Sequence, residues 1–411
     1  MKKKFRIATL GCRTNQYESQ AYRDQLEALG YEEAGHGEKA DLCIVNTCTV
    51  TQSADASSRH QIRQLIRENE GTKMVVTGCL TENAPDLIEQ VDGISLIAPN
   101  KSKEDLIAHL FPDEEVPEFK IHNFEAHTRA FVKVQDGCNS FCTYCIIPYV
   151  RGRSRSRPLE VIVKEVEGLV AAGYKEVVIT GINVGDYDDR GRKLSSLIRA
   201  VDRVEGLKRL RLSSIDPDEV DDALLGAIME GKNTCNSMHI VLQSGSNVVL
   251  KRMNRKYTKQ IFFQTLERLQ KADPHFTCTT DVIVGFPGES ESDFADTLEV
   301  VRDVQFAKVH MFPYSARKKT RAALYLDQIR DEVKAERKSR LLRLAEEVAY
   351  SLRNSYVGQT VEVLTENRSG GHTTNFLPVK VEAKQNELVH VYIEKNTPEG
   401  LEGRIVDHNR S

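Results

Sequence analysis

The chain has 411 residues, 40% hydrophobic and 28% charged, the balance of an ordinary soluble globular protein long enough for two or three domains. Its formal net charge of −3 excludes a globally basic nucleic-acid binder while leaving room for a local basic surface. No run of eighteen apolar residues occurs, and the Lys-rich start leads into a short strand pattern rather than a signal-peptide core, so the chain reads as cytoplasmic and without a membrane span.

Strand and helix patterns alternate from the start. Phe5–Leu10, Leu42–Asn46 and Lys73–Gly78 are short apolar runs, each followed by a helical pattern, at Asn15–Leu29, Ala54–Arg67 and Glu82–Gln90. This order predicts an α/β fold with a parallel sheet. Cys12, Cys48 and Cys79 each lie just past a strand end, where open parallel sheets gather their ligands, so the three thiols are expected to converge as metal ligands. Burial as a small hydrophobe explains Cys43 inside Leu42-Cys43-Ile44-Val45. It does not explain Cys12 in Gly11-Cys12-Arg13-Thr14-Asn15 or Cys48 in Asn46-Thr47-Cys48-Thr49, which are polar, turn-forming contexts.

From Phe131 the alternation continues through strand patterns at Phe131–Gln135, Glu176–Thr180, Lys208–Ser213, Met238–Gln243, Thr277–Val284 and Phe306–Phe312. Six βα units make a partial barrel. One connecting helix is marked by Pro158 at its start and Gly173 at its end. Directly after the first of these strands comes Gly137-Cys138-Asn139-Ser140-Phe141-Cys142-Thr143-Tyr144-Cys145, a C-x3-C-x2-C triplet, placed where β/α barrels carry their chemistry. Iron-sulfur clusters are normally held by four thiolates, so three close cysteines without a fourth leave one iron open to another ligand. Zinc is the alternative, but it calls for a second ligand pair further along, and neither His nor Cys occurs between Cys145 and Cys235. Nine cysteines with six in ligand positions favour a reducing compartment. Cys235 and Cys278 read as buried. Small polar turns follow the later strands at Gly181-Ile182-Asn183, Ser213-Ser214, Gln243-Ser244-Gly245 and Gly285-Phe286-Pro287-Gly288, and let backbone approach a cofactor.

Two basic stretches are candidates for RNA contact. Arg151, Arg153, Arg155 and Arg157 recur at every second position beside the cysteine loop, and Arg suits phosphate; a solvated charge run is the plainer reading. Residues 316–343 carry ten Lys or Arg against four Asp or Glu, mostly on a helical pattern. The last segment reads as short strands at Thr360–Thr365, Leu377–Glu382, Leu388–Glu394 and Gly403–Val406, which fits a small β-barrel, with Gly371–Phe376 as its contact loop.

Gly11-Cys12-Arg13-Thr14-Asn15-Gln16, Asn46-Thr47-Cys48-Thr49-Val50-Thr51, Thr77-Gly78-Cys79, Cys142-Thr143-Tyr144-Cys145-Ile146-Ile147-Pro148-Tyr149 and Asp281-Val282-Ile283-Val284-Gly285-Phe286-Pro287-Gly288-Glu289 together resemble the radical S-adenosylmethionine (SAM) methylthiotransferase family over nearly the whole chain. Arg13-Thr14-Asn15 and the run Arg151–Arg157 resemble the branch acting on N6-threonylcarbamoyladenosine in tRNA. The resemblance implies three domains: an N-terminal cluster domain at 1–115, a (βα)6 partial TIM barrel at 125–345 and a TRAM-like β-barrel at 350–411. It implies two 4Fe-4S clusters, one on Cys138, Cys142 and Cys145 that binds and reductively cleaves SAM, and an auxiliary one on Cys12, Cys48 and Cys79 that delivers sulfur. Tyr144, Gly181, Asn183, Ser213 and Gln243 would contact SAM. The implied product carries a methylthio group on C2 of the adenine, and the implied partners are tRNA, an electron donor such as a flavodoxin or ferredoxin, and a sulfur source, with the protein a monomer. The chain departs from the family pattern at Ala316–Ala322, where a Pro- and Gly-containing turn is usual. Sister branches act on isopentenyladenosine in tRNA or on an aspartate of a ribosomal protein. A non-catalytic iron-sulfur or RNA-binding protein is the alternative of another class.

Overall fold

A computed structural model describes residues 2–124 and 128–406; the expected start of the second segment at residue 125 and the end of the last one, 407–411, lie outside the described residues. The N-terminal strands form one parallel sheet in the spatial order Glu32–Glu33, Lys4–Thr9, Leu42–Thr47, Lys73–Gly78, Leu96–Ile97. Leu42–Thr47 is buried at every position, as the centre of a sheet covered on both faces must be. The two edge strands have two residues each, too short for a periodic signal in sequence.

The helix Arg13–Ala28 is polar, yet Asn15, Glu18, Ser19 and Gln20 are buried along with Tyr17 and Tyr22. It is wedged between two cores: Tyr17 and Ala21 join the barrel core, Tyr22 and Leu26 that of the sheet. The helix expected over Glu82–Gln90 is instead two short ones, Cys79–Asn83 and Pro85–Glu89. Ala84 between them sits at φ −147°, ψ 65°, because the Pro85 ring disfavours helical backbone at the residue before it.

The six strands of the partial barrel are Arg129–Lys133, Glu176–Thr180, Arg209–Leu212, Ser237–His239, Thr277–Val284 and Lys308–Pro313. They form two parallel three-stranded sheets joined by the isolated parallel bridges Leu210 to Thr234 and Ile215 to Ile240. Among the described residues no bridge joins the last strand to the first, so the barrel is an open arc. Its opening faces the N-terminal unit. The basic stretch after the barrel is helical only from Asp331, in a 24-residue helix that runs to Asn354; residues 316–330 are irregular apart from a turn at Arg321–Leu324.

That helix leads into a closed five-stranded barrel, Thr360–Asn367, Gly370–Thr373, Pro378–Lys380, Gly400–Ile405 and Leu388–Thr397 in spatial order. The assignment of Gly371–Phe376 as an RNA-contact loop is corrected here. Gly370–Thr373 is a strand, the carbonyls of Thr373 and Thr374 accept hydrogen bonds from Arg211, and Phe376 lies under the guanidiniums of Arg129 and Arg211 at 5.5 and 5.0 Å. The segment docks the small barrel onto the large one. Among the described residues no helix is long and apolar enough to cross a membrane.

Candidate functional site

Cys138, Cys142 and Cys145 line one wall of a cavity of about 360 Å³ at the carboxyl ends of the barrel strands, with Tyr144, Ile182, Asn183, Ser214, Asp216, Gln243, Arg255 and Asp281 around it. Val50 and Thr51, two and three residues beyond Cys48, close the facing side. The N-terminal sheet therefore delivers the loop that follows Cys48 to the mouth of the barrel.

The other three thiols meet at the ends of the N-terminal strands. A Cβ on Gly11 (φ +96°) would stand 2.9 Å from Cys48 Sγ, so the chain passes Cys48 where only glycine fits, and Cys12 follows at once. Cys79 opens its short helix and packs with Ile146 and Val150, which directly follow the second cysteine loop. Burial pushes the Cys48 thiol up to about 11, and the charges of Cys79 and Cys12 push the same way. Burial likewise raises Cys79, Cys138 and Cys145, the last to about 12, with Cys142 and Cys138 adding to the rise at Cys145. Thiols held this way ionise only when a cationic centre compensates them, which is the donor chemistry of an iron-sulfur cluster. Among the described residues no three His, Cys, Asp or Glu side chains close on a single ion.

Of the five residues expected at SAM, Tyr144, Asn183 and Gln243 line the cavity and Gly181 and Ser213 do not. Gly181 is small because Gln135 needs the room: a Cβ there would lie 3.0 Å from Gln135 Oε1, which accepts from the amides of Ile182 and Asn183 at 3.0 and 2.9 Å. Ser213 turns inward, and its neighbour Ser214 faces the cavity. Gln243 holds φ +62°, and its buried Oε1 has no hydrogen-bond partner, an acceptor left open at the cavity wall.

Sequence reading missed several side chains here. Arg255 donates to Cys142 Sγ at 3.0 Å and pairs with Asp216. Asn183 donates to Glu219 at 2.8 Å, and burial followed by repulsion from Asp216 pushes Glu219 up to about 7. Arg317, in the stretch that departs from the family pattern, is buried and donates to Thr49 at 2.8 Å and to Asp55 at 2.5 Å. With Gln52 N donating to Ser315 Oγ at 3.1 Å and Ala322 N to Thr143 O at 2.8 Å, this segment straps one cysteine loop to the other. In sequence Arg317 is one of four basic residues within Ala316–Ala322, and nothing there distinguishes it from its neighbours.

The reading of four arginines as RNA contacts is corrected for two. Arg151 is fully buried, 3.0 Å from Glu18 and 2.9 Å from Asp136. Arg157 donates to the Lys133 carbonyl at 2.6 Å and pairs with Glu165 at 2.7 Å. Both neutralise buried carboxylates that would otherwise be untenable. Arg153 is exposed and stacks over Phe141 at 4.4 Å, and Arg155 is 57% exposed with Asp136 at 4.0 Å.

The cysteine loop depends on Gly137. Its φ is +72°, and a Cβ would lie 2.1 Å from the Arg153 carbonyl, so Gly137→Ala is expected to cost at least about 2 kcal/mol in urea unfolding and to lower iron bound at Cys138, Cys142 and Cys145. An unchanged midpoint and iron content would show the loop to be more yielding than this contact allows.

Residues 132–301 match the Radical SAM superfamily and residues 4–98 match Uncharacterized protein family UPF0004. The chain is 52% identical, over 98% of both chains, to Threonylcarbamoyladenosine tRNA methylthiotransferase MtaB of Chlamydia pneumoniae. It is 37% identical to the protein of that name in Bacillus subtilis, covering 97% of this chain and 95% of that one. It is 34% identical to tRNA-2-methylthio-N(6)-dimethylallyladenosine synthase of Finegoldia magna, covering 98% and 94%. Among solved structures, the radical S-adenosylmethionine methyltransferase TsrM of Kitasatospora setae, with cobalamin and a [4Fe-4S] cluster bound, shares the fold at a TM-score of 0.59 and 15% identity, covering 79% of this chain and 77% of that one. With whole-length relatives above 30% identity, the chain belongs to the radical SAM methylthiotransferase family.

Proposed function

We propose that the protein adds a methylthio group to C2 of N6-threonylcarbamoyladenosine next to the anticodon of tRNA. The observation that carries the substrate is the 52% identity, along 98% of both chains, to a relative named for that nucleoside. A non-catalytic iron-sulfur or RNA-binding role gives no reason for an open barrel whose cavity is lined from two domains. Radical SAM methylthiotransferases use SAM and two 4Fe-4S clusters, and the donor set fits: two trios of free thiols, of which Cys12 alone is exposed, and an unpartnered Gln243 acceptor.

In this reading Cys138, Cys142 and Cys145 hold the SAM-binding cluster, and Cys12, Cys48 and Cys79 the auxiliary one. Bound there, the clusters supply one-electron cleavage of SAM and the sulfur to be transferred. The chain's own residues do the rest. Arg255 sets positive charge against Cys142, Asn183 and Gln243 offer polar atoms to the cofactor, and Ile146, Ile147, Val241, Ile283 and Phe312 exclude water from the reacting centre. The proposal keeps the division at 1–115, 125–345 and 350–411, a monomeric cytoplasmic protein, a flavodoxin or ferredoxin as electron donor and a separate sulfur source. Arg153 and Arg155 are its RNA contacts beside the cavity.

The test is nucleoside mass spectrometry after anaerobic incubation of cluster-loaded protein with SAM, reductant, sulfide and tRNA bearing either threonylcarbamoyladenosine or isopentenyladenosine. The 2-methylthio derivative is expected from the first tRNA. Product from the second alone moves the substrate to the sister branch, and absence of SAM cleavage overturns the mechanism.

A further inference from the structure

Arg13 directly follows Cys12 and opens the helix wedged between sheet and barrel. Its guanidinium carbon lies 5.3 Å from the ring centroid of Phe131, on the first barrel strand. Three buried arginines elsewhere in the molecule have carboxylate partners: Glu18 for Arg151, Glu176 for Arg211, Asp55 for Arg317. Among the described residues nothing hydrogen-bonds or ion-pairs with the guanidinium of Arg13.

The surrounding charges sharpen this. Arg129 and Arg211 are the strongest charges acting on Arg13 and repel it, followed by the attraction of Glu176 and Asp281. Glu176 is engaged elsewhere, 2.9 Å from Arg211 and 4.0 Å from Arg129, while Asp281 lies 3.4 Å from His239 Nε2, a pair that is ionic only when the imidazole is protonated. Arg129 and Arg211 are answered by Glu366 at 3.3 Å and Glu176 at 2.9 Å, so Arg13 is the guanidinium of this group without a carboxylate in contact, in a partly desolvated setting where an anion is attracted more strongly than in water. Asp281, one of the two carboxylates that attract Arg13, also lines the cavity.

We infer that Arg13 takes the carboxylate of the substrate's threonylcarbamoyl group and thereby selects this nucleoside over one with an uncharged N6 substituent; the inference rests on the function proposed above. The chemistry of the nucleoside agrees with the placement. Its N6 substituent ends in a carboxylate and lies along the N1 edge of the adenine, beside C2. When C2 faces the thiols at Cys12, the carboxylate falls toward the neighbouring residue. A guanidinium fork matches a carboxylate with two charge-assisted hydrogen bonds. An isopentenyl group would leave that guanidinium unpaired, the kind of mismatch by which a polar site rejects an apolar analogue.

The experiment compares wild type, Arg13→Gln and Arg13→Lys as cluster-loaded enzymes on two tRNAs, one bearing threonylcarbamoyladenosine and one in which that carboxylate is a neutral amide. Binding of the matching anticodon stem-loops to the cluster-free protein is followed by fluorescence anisotropy. Wild type is expected to prefer the carboxylate, Arg13→Gln to raise its KM about 10–150-fold with the amide's KM unmoved, and Arg13→Lys to recover part of the preference. Equal losses on both tRNAs, with a lowered melting temperature, would make Arg13 a packing residue against Phe131 and overturn the inference, as would an unchanged preference. Wild type inactive on both tRNAs would instead overturn the substrate reading itself.

Discussion

Cys138→Ala is expected to abolish SAM cleavage and methylthio transfer together, whereas Cys48→Ala is expected to abolish transfer and leave SAM cleavage in place. Each loss should be at least on the order of 10³-fold, as for removal of a residue that acts as part of a unit. The asymmetry follows from the architecture. Cys138 sits on the barrel loop with Cys142 and Cys145, and Cys48 on the N-terminal sheet beside Gly11 and Cys12, so the trios are carried by different scaffolds. Iron analysis and Mössbauer spectra should show each variant keeping half the iron, of the complementary kind. Cys278→Ala is the control: burial alone pushes this thiol up to about 12, it lies in the barrel core, and it should retain both the iron and the activity. Loss of SAM cleavage in Cys48→Ala would mean the two sites cannot be loaded independently.

The path from sequence to this site was uneven for physical reasons. The strands that carry the cysteines announced themselves because parallel strands buried on both faces are continuous apolar runs, as at Leu42–Thr47. Positions just past such strand ends are fixed by topology, so Cys12, Cys48, Cys79 and the triplet could be singled out without coordinates. Periodicity failed where tertiary packing overrides it. The polar helix Arg13–Ala28 gives no hint that both its faces are covered, since its partners come from residues a hundred or more positions away, such as Glu165 on Tyr17 and Arg151 on Glu18. The same long range hid the inward fate of Arg151 and Arg157, because an alternating run of arginines reads as surface until the acids it neutralises are located. Arg255 and Asp216 were invisible as a pair, standing 39 positions apart and meeting only when the barrel curls.

Arg151→Met is expected to cost about 3–5 kcal/mol of stability at neutral pH, measured by chemical denaturation of the protein. The side chain is fully buried and anchors a charge cluster with Glu18, Asp136, Lys103 and Lys133, which Glu104 joins at 2.9 Å from Lys133. Lys103 Nζ lies 2.7 Å from Glu18 and 2.5 Å from Asp136 but off the hydrogen-bond directions, so the lysine supplies charge while Arg151 supplies the directed bonds. Burial alone would push Glu18 up, but Arg151, Lys103 and Lys133 outweigh it and hold the carboxyl at about 2; Asp136 is held well below its usual range by the same three cations against its own burial. Depressed carboxyls contribute stability that is fully present above their unfolded values, about 4, and lost as pH falls through the folded ones. The gap between wild type and Arg151→Met should therefore be widest at neutral pH and narrow steadily below about pH 4, as wild type forfeits the interaction the variant already lacks. The damage should also reach the auxiliary thiols. Arg151 Nη2 donates to Asn15 Oδ1, and Asn15 Nδ2 in turn donates to the carbonyls of Leu10 at 2.7 Å and Thr47 at 3.1 Å, one on each side of the Gly11–Cys48 approach. Iron held by Cys12, Cys48 and Cys79 should accordingly be lost from the variant before iron held by the barrel triplet, and equal loss from both would show that the cluster supports the fold as a whole rather than the auxiliary site through Asn15.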